Sequence, residues 1–83
     1  MERIYRMDVN ETDTRKIVER MKEMMPFAKK NGRLDLHLPD ESIVMLYPDG
    51  RISCLCRPLR FVNGQTEKRR ILAREVYNSF EWE

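Results

Sequence analysis

Oxygen-bearing side chains fill five of the six positions in Asp8-Val9-Asn10-Glu11-Thr12-Asp13. Carboxylates, an amide and a hydroxyl at this density form the donor set of a hard cation, and calcium takes about six to eight such oxygens at roughly 2.3–2.6 Å. Asp8, Asn10, Thr12 and Glu19 even fall where an EF-hand loop places ligands. The rest of that motif is missing: Asp13 stands where the loop needs glycine, Arg15 and Lys16 lie inside it, and an apolar alternation rather than a helix precedes it. The same residues have a purely structural use. Asn10, Thr12, Asp13 and Thr14 are all N-cap types, and acids beside a first helical turn are stabilised by its dipole.

Cys54-Leu55-Cys56 is the other group with chemical potential, with His37 as a possible third ligand. On a strand the two cysteines share a face about 6.8 Å apart, at the outer limit for a disulfide. They share it with Ile52, which favours thiols packed in a core, and the four-ligand spacing of a zinc site is absent. There is one histidine, no Gly-x-Ser-x-Gly elbow and no phosphate-binding glycine loop. An enzyme is therefore the minor expectation. Met21, Met24 and Met25 could line an adaptable groove, but helical spacing makes them core first.

The elements that must position these groups are marked by turns. All three glycines follow Asn or Asp, as Asn31-Gly32, Asp49-Gly50 and Asn63-Gly64, pairs that tolerate positive φ. Residues 3 to 9 alternate, with Tyr5, Met7 and Val9 on one side, and predict a half-buried strand. From about Thr12 the stripe Ile17, Val18, Met21, Met24, Met25 predicts an amphipathic helix. Pro26 should perturb its last turns, while Lys29, Lys30 and Asn31-Gly32 form its C-terminal end. Leu34, Leu36 and Leu38 predict a second strand ending at Pro39-Asp40, with His37 turned away from the leucines. Residues 42 to 47 and 51 to 57 flank Tyr47-Pro48-Asp49-Gly50-Arg51 as a hairpin. Leu59-Arg60-Phe61-Val62 should extend the sheet briefly. Thr66 is the expected cap of a last helix whose stripe is Leu72, Ala73, Val76, Tyr77 and Phe80.

This order, β-α-β-β-β-(β)-α, predicts a single α+β domain over residues 1–83, with two helices packed on one face of a mostly antiparallel sheet. If the first two strands lie parallel, their C-terminal ends share an edge. Asp40 and Glu41 then join Asp8, Asn10, Glu11 and Asp13, and these six residues are the candidate calcium ligands.

The strand entering Asp8-Val9-Asn10-Glu11-Thr12-Asp13, the methionine-rich helix and Leu34-Asp35-Leu36-His37-Leu38 resemble small uncharacterised α+β proteins of methanogenic archaea. That resemblance implies calcium binding through surface acidic clusters. With ligands this exposed, affinity should be weak, on the order of 10⁻⁴–10⁻³ M. A second likeness covers about 35 residues: Val44 to Cys54, followed by Ala73-Arg74-Glu75-Val76-Tyr77, is similar to one half-repeat of a TATA-binding protein. It implies nucleic-acid binding with Tyr47 as a wedge between base steps, although Pro48-Asp49 alters the turn and Asp35 adds negative charge to the open sheet face.

Composition bounds these alternatives. In 83 residues, 41% are hydrophobic and 36% charged, which suits a folded domain with a densely charged exterior. Heavy use of Glu, Lys and Arg leans toward a thermophile's composition. No apolar run reaches membrane-spanning length and Met1-Glu2-Arg3-Ile4 has no signal-peptide core, so a cytoplasmic location is expected. Residues 1–50 carry nine basic and ten acidic side chains, whereas 51–83 carry seven and four. Arg51, Arg57, Arg60, Lys68, Arg69, Arg70 and Arg74 are the phosphate contacts available to the nucleic-acid alternative. The third alternative is an interaction or dimerisation module with one sheet face uncovered. Apolar residues on both sides of the third strand support it, with Val44, Leu46 and Leu55 expected opposite the cysteines and leucines.

Overall fold

The computed structural model describes residues 3–56, 61–62, 65–66 and 71–80. Its elements are β1 (Ile4–Asp8), α1 (Thr14–Asn31), β2 (Arg33–His37), β3 (Ile43–Leu46), β4 (Ile52–Leu55), β5 (Phe61–Val62), β6 (Gln65–Thr66) and α2 (Leu72–Ser79). β1 to β4 form one sheet in chain order. β1 and β2 are parallel, joined through α1, and the β2–β3 and β3–β4 pairs are antiparallel hairpins. The expected α+β architecture is therefore present.

Period-two alternation decides which side of the sheet the helices cover. Leu34, Leu36, Val44, Leu46 and Ile52 point to the helices and are buried together with Ile17, Met21 and Ala28 of α1 and Leu72, Ala73 and Val76 of α2. The register explains the match: Leu36 lies opposite Val44, and Leu34 opposite Leu46, so leucines and valines stack in layers. Val44 and Leu46 thus belong to the core side, along with Cys54, and not to the uncovered face expected for them. Ile43, Met45 and Leu55 are the apolar residues that face outward. The hairpin turn at residues 47–51 fixes this phase, because a one-residue shift would invert every side chain.

α1 begins at Asp13, whose carboxylate accepts the Arg15 N–H at 3.0 Å. It continues through Pro26 to Asn31. A proline inside a helix removes one hydrogen bond and costs about 3 kcal/mol. Packing beyond it offsets that loss: Ala28 is fully buried, and the Phe27 ring meets Tyr5 edge-on at 5.1 Å.

Gly32 ends the helix, donating to the Ala28 carbonyl at 3.0 Å. Its φ of 135° lies where side chains are strained, and a Cβ there would sit 2.7 Å from the Arg3 carbonyl oxygen. Gly32→Ala should cost about 2 kcal/mol, read as a lowered urea midpoint at unchanged slope.

The two hairpin loops share one design. Leu38-Pro39-Asp40-Glu41-Ser42 and Tyr47-Pro48-Asp49-Gly50-Arg51 each close a three-residue loop, with hydrogen bonds Leu38 N–H to Ser42 O and Tyr47 N–H to Arg51 O, both at 2.9 Å. In each, the aspartate accepts the N–H two residues on, at 3.1 Å from Ser42 and 3.0 Å from Arg51. The following position is left-handed, with φ 92° at Gly50 and 70° at Glu41. Glycine suits that conformation and glutamate does not. Glu41→Gly should therefore raise stability by about 0.5–1 kcal/mol, measurable by denaturant titration.

Two expectations for the C-terminal part are corrected. Phe61 pairs with Thr66 and Val62 with Gln65, making β5 and β6 a separate two-stranded sheet instead of an extension of the main one. Thr66 is thus a strand residue, and α2 starts at Leu72 with Ile71 at its N-cap position. Arg57, Leu59, Arg60, Lys68, Arg69 and Arg70 lie outside the described residues.

Candidate functional site

The parallel pairing of β1 with β2 brings the predicted edge into being, and the structure then divides its six residues. Asp8, Asn10 and Glu41 line one depression of about 540 Å³ together with His37, Ile43 and Leu55. Asp8 and Asn10 also line a neighbouring hollow together with Glu11, where Lys16, Glu19, Arg20 and Glu23 of α1 lie. Asp13 caps α1. Asp40 turns the other way, toward α2.

Asp8, Glu11, Asp13 and Asp40 already accept hydrogen bonds within the fold. Asp8 Oδ1 receives the Arg6 guanidinium at 3.0 Å, and Glu11 Oε1 receives the N–H groups of Thr12 and Asp13 at 3.0 and 3.1 Å. Calcium would need about six oxygens converging on one point. Among the described residues no group of three or more His, Cys, Asp or Glu side chains is disposed to hold a metal ion.

The role of Asp40 was not visible in the sequence. Its Oδ2 accepts the Leu72 N–H at 2.8 Å, and Oδ1 accepts from Ser42. Ser42 is buried, donates its hydroxyl to Asp40, and accepts the Ala73 N–H at 3.1 Å. The β2–β3 loop therefore supplies the cap that Ile71 cannot, using two residues some thirty positions upstream. Desolvation raises the Asp40 pKa, but hydrogen bonds from the Ser42 hydroxyl and from the Leu72 and Ser42 N–H groups together outweigh it and hold the carboxyl below its usual value. The only available signal was negative: Ile71 has no oxygen to cap with.

Among the described residues, no element covers the sheet surface opposite the helices. Its outward residues fall in rows across the strands: Asp8, His37, Ile43 and Leu55 at one end, then Arg6, Asp35, Met45 and Ser53. Ile4, Arg33, Tyr47 and Arg51 make the far end. Leu55 is 55% exposed and Ile4 59%. Each arginine in these rows is bound to an aspartate two residues away: Arg6 to Asp8 at 3.0 Å, Arg33 to Asp35 at 2.9 Å and Arg51 to Asp49 at 2.7 Å.

Tyr47 lies between two of those arginines, with Arg51 4.8 Å and Arg33 5.8 Å from its ring centre. Its hydroxyl accepts from Ser53 at 3.4 Å and points to Met45 Sδ at 3.9 Å. A ring held down on the sheet in this way is not shaped as a wedge. His37 shares the outward face with Asp35, as expected, whereas Cys54 faces the helices. The zinc triad suggested by sequence is therefore split across the sheet.

Comparison with protein-family models, curated proteins and solved structures returns no match for this chain.

Proposed function

We propose that this chain is a small non-catalytic binding module whose recognition surface is the uncovered sheet face, and that the surface docks a second copy of the chain. The observation that carries the reading is charge cancellation beside exposed hydrophobic groups. Three arginines and three aspartates pair on or beside this face, so a phosphate backbone finds no surplus of positive charge there. Ile4, Ile43, Met45 and Leu55 add apolar area of the kind found at the centre of protein interfaces.

The two ends of the face also differ in side-chain type. Asp8 and Glu41 lie at the end with Ile43 and Leu55, while Arg33, Arg51 and Tyr47 lie at the other. A two-fold axis in the contact plane and running across the strands lays the first end over the second. Met45 then meets Met45, Ile43 approaches Tyr47 and Leu55 approaches Arg51, the same patch serving both copies as a self-complementary interface requires. Sedimentation equilibrium from micromolar to millimolar concentration tests this. The average mass should rise toward that of a dimer, whereas a monomer throughout removes the proposal.

A further inference from the structure

The helix-covered side of the sheet carries a separate group that self-association leaves unused. Cys54 and Cys56 are free, partly accessible thiols at the end of β4, packed against the margin of the core. They project to the same side, their thiols are within hydrogen-bonding reach of each other, and the charge of Arg74 on α2 acts on Cys54. No His, Asp or Glu among the described residues joins them to make a three-ligand set. Among the described residues the two sulfurs have no third ligand, and a structural zinc site needs four. They fit an ion that is satisfied by two soft donors in a line.

We propose that Cys54 and Cys56 form a two-coordinate thiolate site for a soft monovalent ion of the copper(I) class. Binding replaces two S–H bonds with two sulfur–metal bonds and releases two protons. The resulting centre carries one negative charge, which Arg74 offsets. No electron transfer is involved when the ion is supplied as copper(I). Burial, followed by the neighbouring Cys56, pushes the Cys54 thiol up, so an ion bound there must displace its proton. A hard ion then gains little from displacing those protons, whereas a thiophilic ion gains two strong bonds.

The test is anaerobic titration of the full chain with copper(I) against a chromophoric copper(I) chelator, repeated with Cys54→Ser and Cys56→Ser. One ion per chain is expected, with apparent affinity rising with pH because binding releases protons. Each serine variant should lose at least about 100-fold in affinity, since one thiolate alone cannot complete the site. Silver(I) should compete and zinc should not. Circular dichroism of the serine variants confirms that they remain folded. Two ions per chain, equal affinity in either serine variant, or effective competition by zinc would overturn the proposal.

Discussion

Asp40→Ala lowers the stability of this domain by about 2–3 kcal/mol, and Asp40→Ala combined with Ser42→Ala by about 3–4 kcal/mol. The size follows from what the loop does. Asp40 accepts hydrogen bonds from Leu72, the Ser42 backbone and the Ser42 hydroxyl. Ser42 in turn accepts from Ala73. Losing both removes the side-chain acceptors of the Leu72 and Ala73 N–H groups, and burial limits replacement by water at Ala73, which is wholly inaccessible. A helix of only eight residues has little propensity of its own to draw on. For a domain of this size the single change should lower the midpoint of thermal unfolding by about 10–20 °C.

The same carboxylate makes stability pH-dependent. Its folded pKa is below the unfolded value, so the folded state binds its proton less readily. The contribution is complete above the usual aspartate range, near pH 4, and is lost as pH falls through the lower folded value. Asp40→Asn should unfold more easily at neutral pH and show a flatter loss of stability below about pH 4. An unchanged acid limb in that variant would show that Asp40 is not the titrating group.

Leu55→Lys should raise the dissociation constant of the proposed dimer by about 100-fold while leaving the monomer's stability within about 0.5 kcal/mol. Leu55 is more than half exposed in the single chain, so removing it there opens no cavity. In the proposed dimer it would be buried, which is worth about 1.5–3 kcal/mol, and an ammonium in its place would have to be desolvated beside Arg51 of the second copy. The separation of effects is the informative part. A variant that dissociates and unfolds together would locate Leu55 in the fold, whereas dissociation at constant stability locates it in the contact.

The fold was legible wherever the period of the hydrophobic pattern was unbroken. Leu34-Asp35-Leu36-His37-Leu38 announces its strand, its inward face and the outward histidine, and the methionine stripe announces α1. The phase of β3 was harder. Ile43-Val44-Met45-Leu46 is apolar at every position, so alternation cannot say which pair is buried, and only the register against β2 decides it. The start of α2 was hidden for a different reason. Sequence reasoning looks for a cap next to the helix, and this one comes from Asp40 and Ser42 through tertiary contact.

The candidate site divides in the same way. Parallel β1 and β2 bring Asp8, Asn10 and Glu41 to one depression, a consequence of topology that the element order implies. Asp13 and Asp40 have the chemistry of cation ligands and serve instead as helix caps, and no local pattern distinguishes those uses. Nor does residue type reveal that Arg6, Arg33 and Arg51 each meet an aspartate on the same side. That pairing follows from the i, i+2 spacing only after the strands and their outward face are known.

The most direct measurement is a dilution series of amide NMR spectra on isotope-labelled protein. Self-association through the uncovered face predicts concentration-dependent shifts at Ile4, Arg6, Ile43, Met45, Ser53 and Leu55, with little change along the solvent side of α1 and α2. Shifts concentrated on the helices, or spectra unchanged from micromolar to millimolar concentration, would contradict it.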